Sequence, residues 1–277
     1  MNQNRRESLR RLELDEVKLI QIGILDAIVE FCDQHDIKYF LASGTLLGAV
    51  RHGGYIPWDD DIDLMMLRED YERFIKLFDR LGYTLFHYDK RDDYYYPYVK
   101  VSDDSTRLYE LKMPMVAGMG VNVDIFPIDP IAPEQCKQRL IYAASPRIKF
   151  FLQMNVYRLI ARQRGDRPFL KTAIATIVSS LCGLKTTVRM LDKLSTIFST
   201  ANSTLVTRFN WGYGIREIFP EETFADVQKV LFEGKQYNAP SDYHLYLTNV
   251  FGDYMQLPPI DKRVSTHDFE AFKILQP

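Results

Sequence analysis

Residues 41–66 read LASGTLLGAVRHGGYIPWDDDIDLMM, and the order of features in this stretch decides the fold. The short apolar run at 37–42 predicts a buried strand. Ser43 and Gly44 then turn the chain into a short helix over about 46–51. The glycines and proline of 52–57 predict a loop, and residues 62–66 predict a second strand. A glycine between a strand and a helix lets the backbone approach a ligand closely, and the helix N-terminus offers free N–H groups to a phosphate. Ser43 and Gly44 are therefore candidate cofactor-binding or donor-binding residues.

On the second strand, alternation places Asp61 and Asp63 on one face and Ile62 on the other. Two adjacent carboxylates repel each other unless a cation lies between them. Magnesium held by one or two carboxylates together with substrate phosphates is the usual arrangement. Asp124 is the matching third acid, the polar position of the otherwise apolar run Val123, Asp124, Ile125, Phe126. An ionised side chain there is costly unless it is paired or bound to a metal. The expectation is a three-carboxylate catalytic and metal site, Asp61, Asp63 and Asp124, taking Mg²⁺ or Mn²⁺. An acidic cluster at 59–63 reads in isolation as a solvated turn. The ordered set of turn, helix, loop, paired acids and later acid is far more specific.

Outward from this stretch, residues 14–35 carry apolar side chains at helical spacing, as do 68–81. Residues 83–88, 95–101, 106–110 and 120–126 read as strands of an antiparallel sheet. The pattern turns helical at 133 for about 65 residues, and short strands near 223–233 and a helix near 242–251 follow. The expected class is α+β, a mixed sheet with flanking helices plus a mostly helical, basic segment. The expected divisions are a catalytic core at 1–132, the basic helical segment at 133–200, and a C-terminal part at 201–277 that packs on the core and completes the site.

The 277 residues are 46% hydrophobic and 13% aromatic, with net charge −2. That composition fits a globular chain with a sizeable core. The charge is unevenly spread. Residues 135–194 hold twelve Lys/Arg against two acids, so this stretch carries +10 and the remainder −12. Such asymmetry points to a polyanion or an anionic membrane surface, or to solvated helix faces beside an acidic site. The charged N-terminal stretch shows no secretory signal. The longest apolar run, 172–184, falls short of the ~20 residues of a membrane span. Three cysteines at unrelated spacings give neither a disulfide framework nor a thiolate zinc site. A cytoplasmic protein, with possible peripheral contact at the inner membrane face, is the expectation. No nucleic-acid-binding signature is present.

The stretch 44–64, GTLLGAVRHGGYIPWDDDIDL, resembles the hallmark of the LicD family, and VNVDIFPIDP (121–130) and FGDYMQLPP (251–259), followed by His267, extend the resemblance to both ends of the chain. The resemblance implies a nucleotidyltransferase-like fold. It implies transfer of phosphocholine from CDP-choline to a sugar of a bacterial surface polymer, either teichoic acid or a lipopolysaccharide precursor, with release of CMP. It also assigns metal binding to Asp61, Asp63 and Asp124. Fukutin and the fukutin-related protein share the motif and use CDP-ribitol, so another CDP-alcohol is the alternative donor. A nucleotide-adding enzyme and a cation-binding module are the further alternatives.

Arg51 and Lys100 are candidate phosphate contacts, or else salt-bridge residues. His52 and His267 are candidate acid–base groups, or else structural. A quaternary ammonium donates no conventional hydrogen bond and suits an aromatic cage. Trp58 and Trp211 lead the candidates for that cage, ahead of Tyr94, Tyr95, Tyr96, Tyr98 and Tyr213.

Overall fold

The computed structural model describes residues 8–165, 168–194, 196–197, 203–210, 212–265 and 268–275. In chain order these form β1 (Ser8–Arg11), α1 (Leu14–Gln34), β2 (Phe40–Leu41), α2 (Ser43–His52), β3 (Asp63–Leu67), α3 (Arg68–Leu77), β4 (Tyr83–Phe86), β5 (Val99–Asp103), β6 (Thr106–Glu110) and β7 (Asn122–Ile131). Then come α4 (Gln135–Arg164), α5 (Phe169–Leu181), α6 (Leu184–Leu194), β8 (Leu205–Thr207), β9 (Ile218–Pro220), β10 (Val227–Phe232), β11 (Lys235–Pro240), α7 (Tyr243–Phe251) and β12 (Phe269–Leu275). The class is α+β.

Helix α1 starts at a capping box in which the Glu13 side chain accepts from the third helical N–H and Glu16 accepts from the Glu13 N–H. Its apolar stripe, Val17, Ile24, Ala27, Ile28 and Phe31, is buried. That stripe belongs to the same core as the sheet row Leu64, Ile125 and Val99, all with no exposed surface.

The main sheet runs β2, β3, β7, β5, β4, with β8 and β9 continuing from β7. Strands β3 and β7 are parallel, and β5 is antiparallel to β7. The register sets Asp63 opposite Asp124 and Asp124 opposite Lys100. Directly paired residues share a face of a sheet, so these three charged residues form one row across three strands, on the face opposite the core row.

Strand β7 is longer than the alternation of 120–126 predicts. Pro127 lies between Ile125, where pairing with β5 ends, and Asp129, where pairing with β8 begins. A residue without an N–H is tolerated in that gap. Strand β6 leaves the expected antiparallel sheet. It pairs with β12, which in turn pairs with β1, in a separate three-stranded sheet that joins the two ends of the described chain. Near 223–233 the expected short strands resolve into a single helical turn, Glu221–Phe224, and the hairpin of β10 and β11.

The long helical stretch expected from 133 is α4, α5 and α6. Helix α6 is fixed to the core by charge. Arg68 donates to Asp129 on β7 at 2.6 Å and to Asp192 on α6 at 3.0 Å, and Tyr88 donates to Asp192 at 2.7 Å. Both aspartates are almost fully buried.

Candidate active site

Strand β2 ends at Leu41, and the Ala42 N–H donates to the Asp63 carbonyl at 2.9 Å. Ser43 then takes a left-handed φ of 45°, a conformation that costs free energy for any residue with a side chain. Helix α2 begins at Ser43 rather than at Leu46. The Thr45 hydroxyl accepts from the Asp63 N–H at 2.8 Å, which locks the start of β3 to the first turn of α2.

Two glycines let the 53–60 loop fold back over this helix. A Cβ on Gly48 would lie 2.4 Å from the Gly54 carbonyl oxygen. One on Gly44 would lie 2.5 Å from a carboxylate oxygen of Asp59. The close approach that Gly44 permits is thus, in the folded chain, an approach by Asp59.

These elements enclose a cavity of about 1230 Å³, larger than most small-molecule sites. Ser43, Gly44, Arg51 and Trp58 line it, as do Asp61, Asp63, Lys100 and Asp124. Eight of the nine site residues expected from the sequence therefore meet in one place. The ninth, Trp211, and the acid–base candidate His267 lie outside the described residues. His52 is exposed and is not part of the lining.

The floor is strongly acidic. Asp59, Asp60 and Asp61 each offer an oxygen within 4.8 Å of the others. Burial, and then the neighbouring charge of Asp63, raise the Asp61 carboxyl far above the usual carboxylate range. Burial and the charge of Asp124 push Asp63 up to about 7, against the opposing pull of Arg208 and Lys100. Lys100, a candidate phosphate contact, is bonded elsewhere. Its ammonium donates to both Asp124 oxygens, at 2.7 and 2.9 Å, and to Asn122 Oδ1 at 3.1 Å.

The cavity lining also carries arginines. Arg51 donates to the Tyr254 carbonyl at 2.9 Å, and Arg263 donates to the Pro258 carbonyl at 2.9 Å. Burial and then the charge of Arg263 lower the Arg51 pKa. Among the described residues neither guanidinium has a carboxylate within ion-pair distance. Two like charges held near each other by neutral carbonyls leave unbalanced positive charge facing the cavity, where an anion is favoured.

Three contributors escape a reading of the sequence. Asp59 reads there only as part of an acidic turn. Arg208 is fully enclosed, pairs with Glu217 at 2.7 Å and stacks over Phe126 at 4.8 Å. Its only sequence signal is an arginine between the apolar residues of 205–209. Arg263 lies 5.7 Å over the Trp58 ring and has no motif around it.

The aromatic candidates divide sharply. Tyr94 and Tyr95 are core residues whose hydroxyls donate to the Tyr98 and Pro114 carbonyls. Tyr96 and Tyr98 reach the cavity, but Lys100 already lies over both rings, at 4.8 and 5.6 Å. Tyr213 is half exposed and packs edge-on against Phe251 at 5.4 Å, and both line the cavity.

The fit to a divalent cation rests on the donor set. Crowded hard oxygen donors whose carboxyls are raised by burial and by mutual repulsion are what Mg²⁺ or Mn²⁺ relieves, and no soft ligand stands among them. The donors fit.

A cavity with an acidic floor and an arginine rim, built at the end of a parallel strand pair in an α+β chain, suits a phosphate-containing substrate and a metal. Residues 36–151, which include the floor, match the family model described as LicD/FKTN/FKRP, nucleotidyltransferase domain.

Three relatives show how far the likeness runs. The chain is 28% identical over 285 residues to the lipopolysaccharide cholinephosphotransferase LicD of Haemophilus influenzae, covering 95% of this chain and 99% of that one. It is 48% identical over 59 residues to the uncharacterized protein RP689 of Rickettsia prowazekii, 20% of this chain and 22% of that one. It is 42% identical over 57 residues to the ribitol 5-phosphate transferase FKRP of Homo sapiens, 21% of this chain and 10% of that one. The LicD-family resemblance read from residues 44–64 holds.

Proposed function

We propose that this chain is a metal-dependent phosphocholine transferase that takes its group from CDP-choline and delivers it to a sugar hydroxyl of lipopolysaccharide or a similar surface polymer. One observation carries the reading: crowded carboxylates and the guanidiniums of Arg51 and Arg263 line a single cavity, in a chain similar over 95% of its length to a lipopolysaccharide cholinephosphotransferase.

Asp61 and Asp63, with an oxygen of Asp59, would hold the divalent ion. When bound, the ion neutralises phosphate charge and polarises the diphosphate. The rest falls to the chain's own groups. Arg51 and Arg263 bind the diphosphate and stabilise the charge on departing CMP. The acceptor oxygen attacks the phosphorus bearing choline, the bond from that phosphorus to the CMP oxygen breaks, and the hydroxyl proton passes to Asp124. Lys100 fixes Asp124 in its row. The half-exposed Tyr213 and Phe251 offer the trimethylammonium a π surface.

The test uses two CDP-choline samples, one labelled in choline and one in cytidine, with lipopolysaccharide stripped of phosphocholine and a divalent ion. Choline label on the polymer and cytidine label in free CMP support the reading. Cytidine label on an acceptor makes the chain a nucleotide-adding enzyme. Turnover only with CDP-ribitol or CDP-glycerol keeps the site and overturns the choline assignment.

A further inference from the structure

Helix α5 is built the wrong way round for a helix that only packs on its own protein. Its inward positions are small: Ala175 and Ser179 are buried against the neighbouring helix. Its large aliphatics point outward. Leu170 is 70% exposed, Ile177 64% and Leu181 76%, with Ile174 also exposed. The spacing 170, 174, 177, 181 runs along one helical stripe, on the side of the helix away from Ala175 and Ser179. Phe169, 87% exposed, extends the patch at its N-terminal end. Together these side chains present on the order of several hundred Å² of apolar surface, the size at which a patch on a monomer marks an interaction site.

The charge around this stripe selects the partner. Among the described residues of 135–194, the only acid is Asp192, and it is buried under Arg68 and Tyr88. The segment therefore shows no carboxylate to solvent among those residues, whereas Arg162 and Lys171 are exposed beside the N-terminal end of α5. Arg164 is engaged elsewhere. It donates to the carbonyls of Leu111 and Met113 and so ties the end of α4 to the rest of the molecule. An aliphatic stripe with cations at its margin and, among the described residues of 135–194, no exposed acid matches a helix lying in the headgroup region of an anionic bilayer. No single helix among the described residues is long and apolar enough to cross a membrane; α5 and α6 together have the length and composition, but they are bent by 64° to each other and α6 buries Val188, Leu191 and Asp192 in the protein, which leaves α5 to lie along a surface.

We propose that α5 docks the protein on anionic lipid, with Leu170, Ile174, Ile177 and Leu181 inserted among the acyl chains and Arg162 and Lys171 at the phosphates.

The experiment is flotation of the full chain with vesicles of phosphatidylcholine alone or mixed with phosphatidylglycerol. It compares the wild type with Ile177→Ser/Leu181→Ser and with Arg162→Gln/Lys171→Gln. The substituted side chains are exposed, and an unchanged melting temperature establishes that each variant is folded. The expected result is flotation with the mixed vesicles, weakened by salt, reduced at least about tenfold by the aliphatic pair and several-fold by the charge pair. Wild-type protein that stays unbound, or variants that float like the wild type, would overturn the proposal. So would a wild-type dimer that falls to monomer in the aliphatic variant without lipid binding, because the stripe would then be an interface between copies. CMP release from soluble CDP-choline is unaffected by either variant, which separates failure here from failure of the transferase reading.

Discussion

The cavity floor and helix α5 break the ordinary burial rule in opposite directions. The floor crowds Asp59, Asp61, Asp63 and Asp124 into one cavity, with the buried Asp60 within 4.8 Å of Asp59 and Asp61, while α5 turns four large aliphatics to solvent and hides an alanine and a serine. Neither arrangement helps the isolated chain. Burial and then repulsion on the floor raise Asp61 and Asp63, and exposed leucine and isoleucine forgo the ~1.5–3 kcal/mol each that burial would give. Each region therefore reads as half of a contact, the floor with a cation and phosphate, the stripe with an apolar surface. The pair also shows where function departs from stability: both features are unfavourable to the chain alone, and the proposed cation and lipid surface are what would offset them.

The largest expected effect separates the two regions by activity. Asp61→Asn removes a donor of the floor and is expected to lower turnover by about 10³-fold or more. With less repulsion on the floor, the variant melts at or above the wild-type temperature without metal. Next is Asp192→Ala, which leaves Arg68 half-paired in a buried setting. A loss of roughly 3–5 kcal/mol is expected, read as a melting temperature lower by on the order of 10 °C. A drop below about 2 °C would mean that the Arg68 network does not hold α6 to the core.

The pH dependence of the metal-free chain comes third. Asp63 has a folded pKa of about 7, against 3.8 as its ordinary value. The folded state then binds the proton more tightly than the unfolded one, so this group's contribution to stability is present at low pH and is lost as pH rises through about 7. At most about 4 kcal/mol is at stake. A divalent ion offsets the loss, so it should raise the melting temperature more at about pH 8 than at about pH 5.5. An equal effect at both would contradict a metal held by these carboxylates. His87 works in the opposite sense. Burial lowers it to about 4, so it destabilises the fold as pH falls from the ordinary 6.5 toward 4. His87→Phe should flatten that part of the acid limb of the stability curve. Smallest is Ile177→Ser/Leu181→Ser, expected within about 0.5 kcal/mol of wild-type stability, because the positions are already in water.

Much of the fold and site is legible in the sequence because short-range patterns set it. The alternation of Val123, Asp124 and Ile125 announces a strand with a core face and a charged face, and the pairing of Asp63 with Asp124 follows once both strands lie in one sheet. Helix α1 is readable from its period and lies within a residue of its expected end. What escapes depends on long-range partners. Strands β1 and β12 are charged and short of alternation, and they exist because they pair with each other and with β6. The tyrosines at 94–98 have strand-like composition, yet Tyr94 and Tyr95 bend into a second aromatic core instead. Arg208 and Arg263 reach the site from distant segments, a closeness that no local pattern encodes. In α5, the sequence shows an apolar run without saying which side faces out.

The central claim is that the aspartate floor, with a divalent ion, supports transfer from CDP-choline. The most direct test follows CMP release from CDP-choline with an acceptor polymer, for wild type and Asp61→Asn, with a divalent ion and with chelator. Release is expected to need the ion and to be lost in a variant that still folds. Release that persists in chelator, or at the wild-type rate in Asp61→Asn, would contradict it.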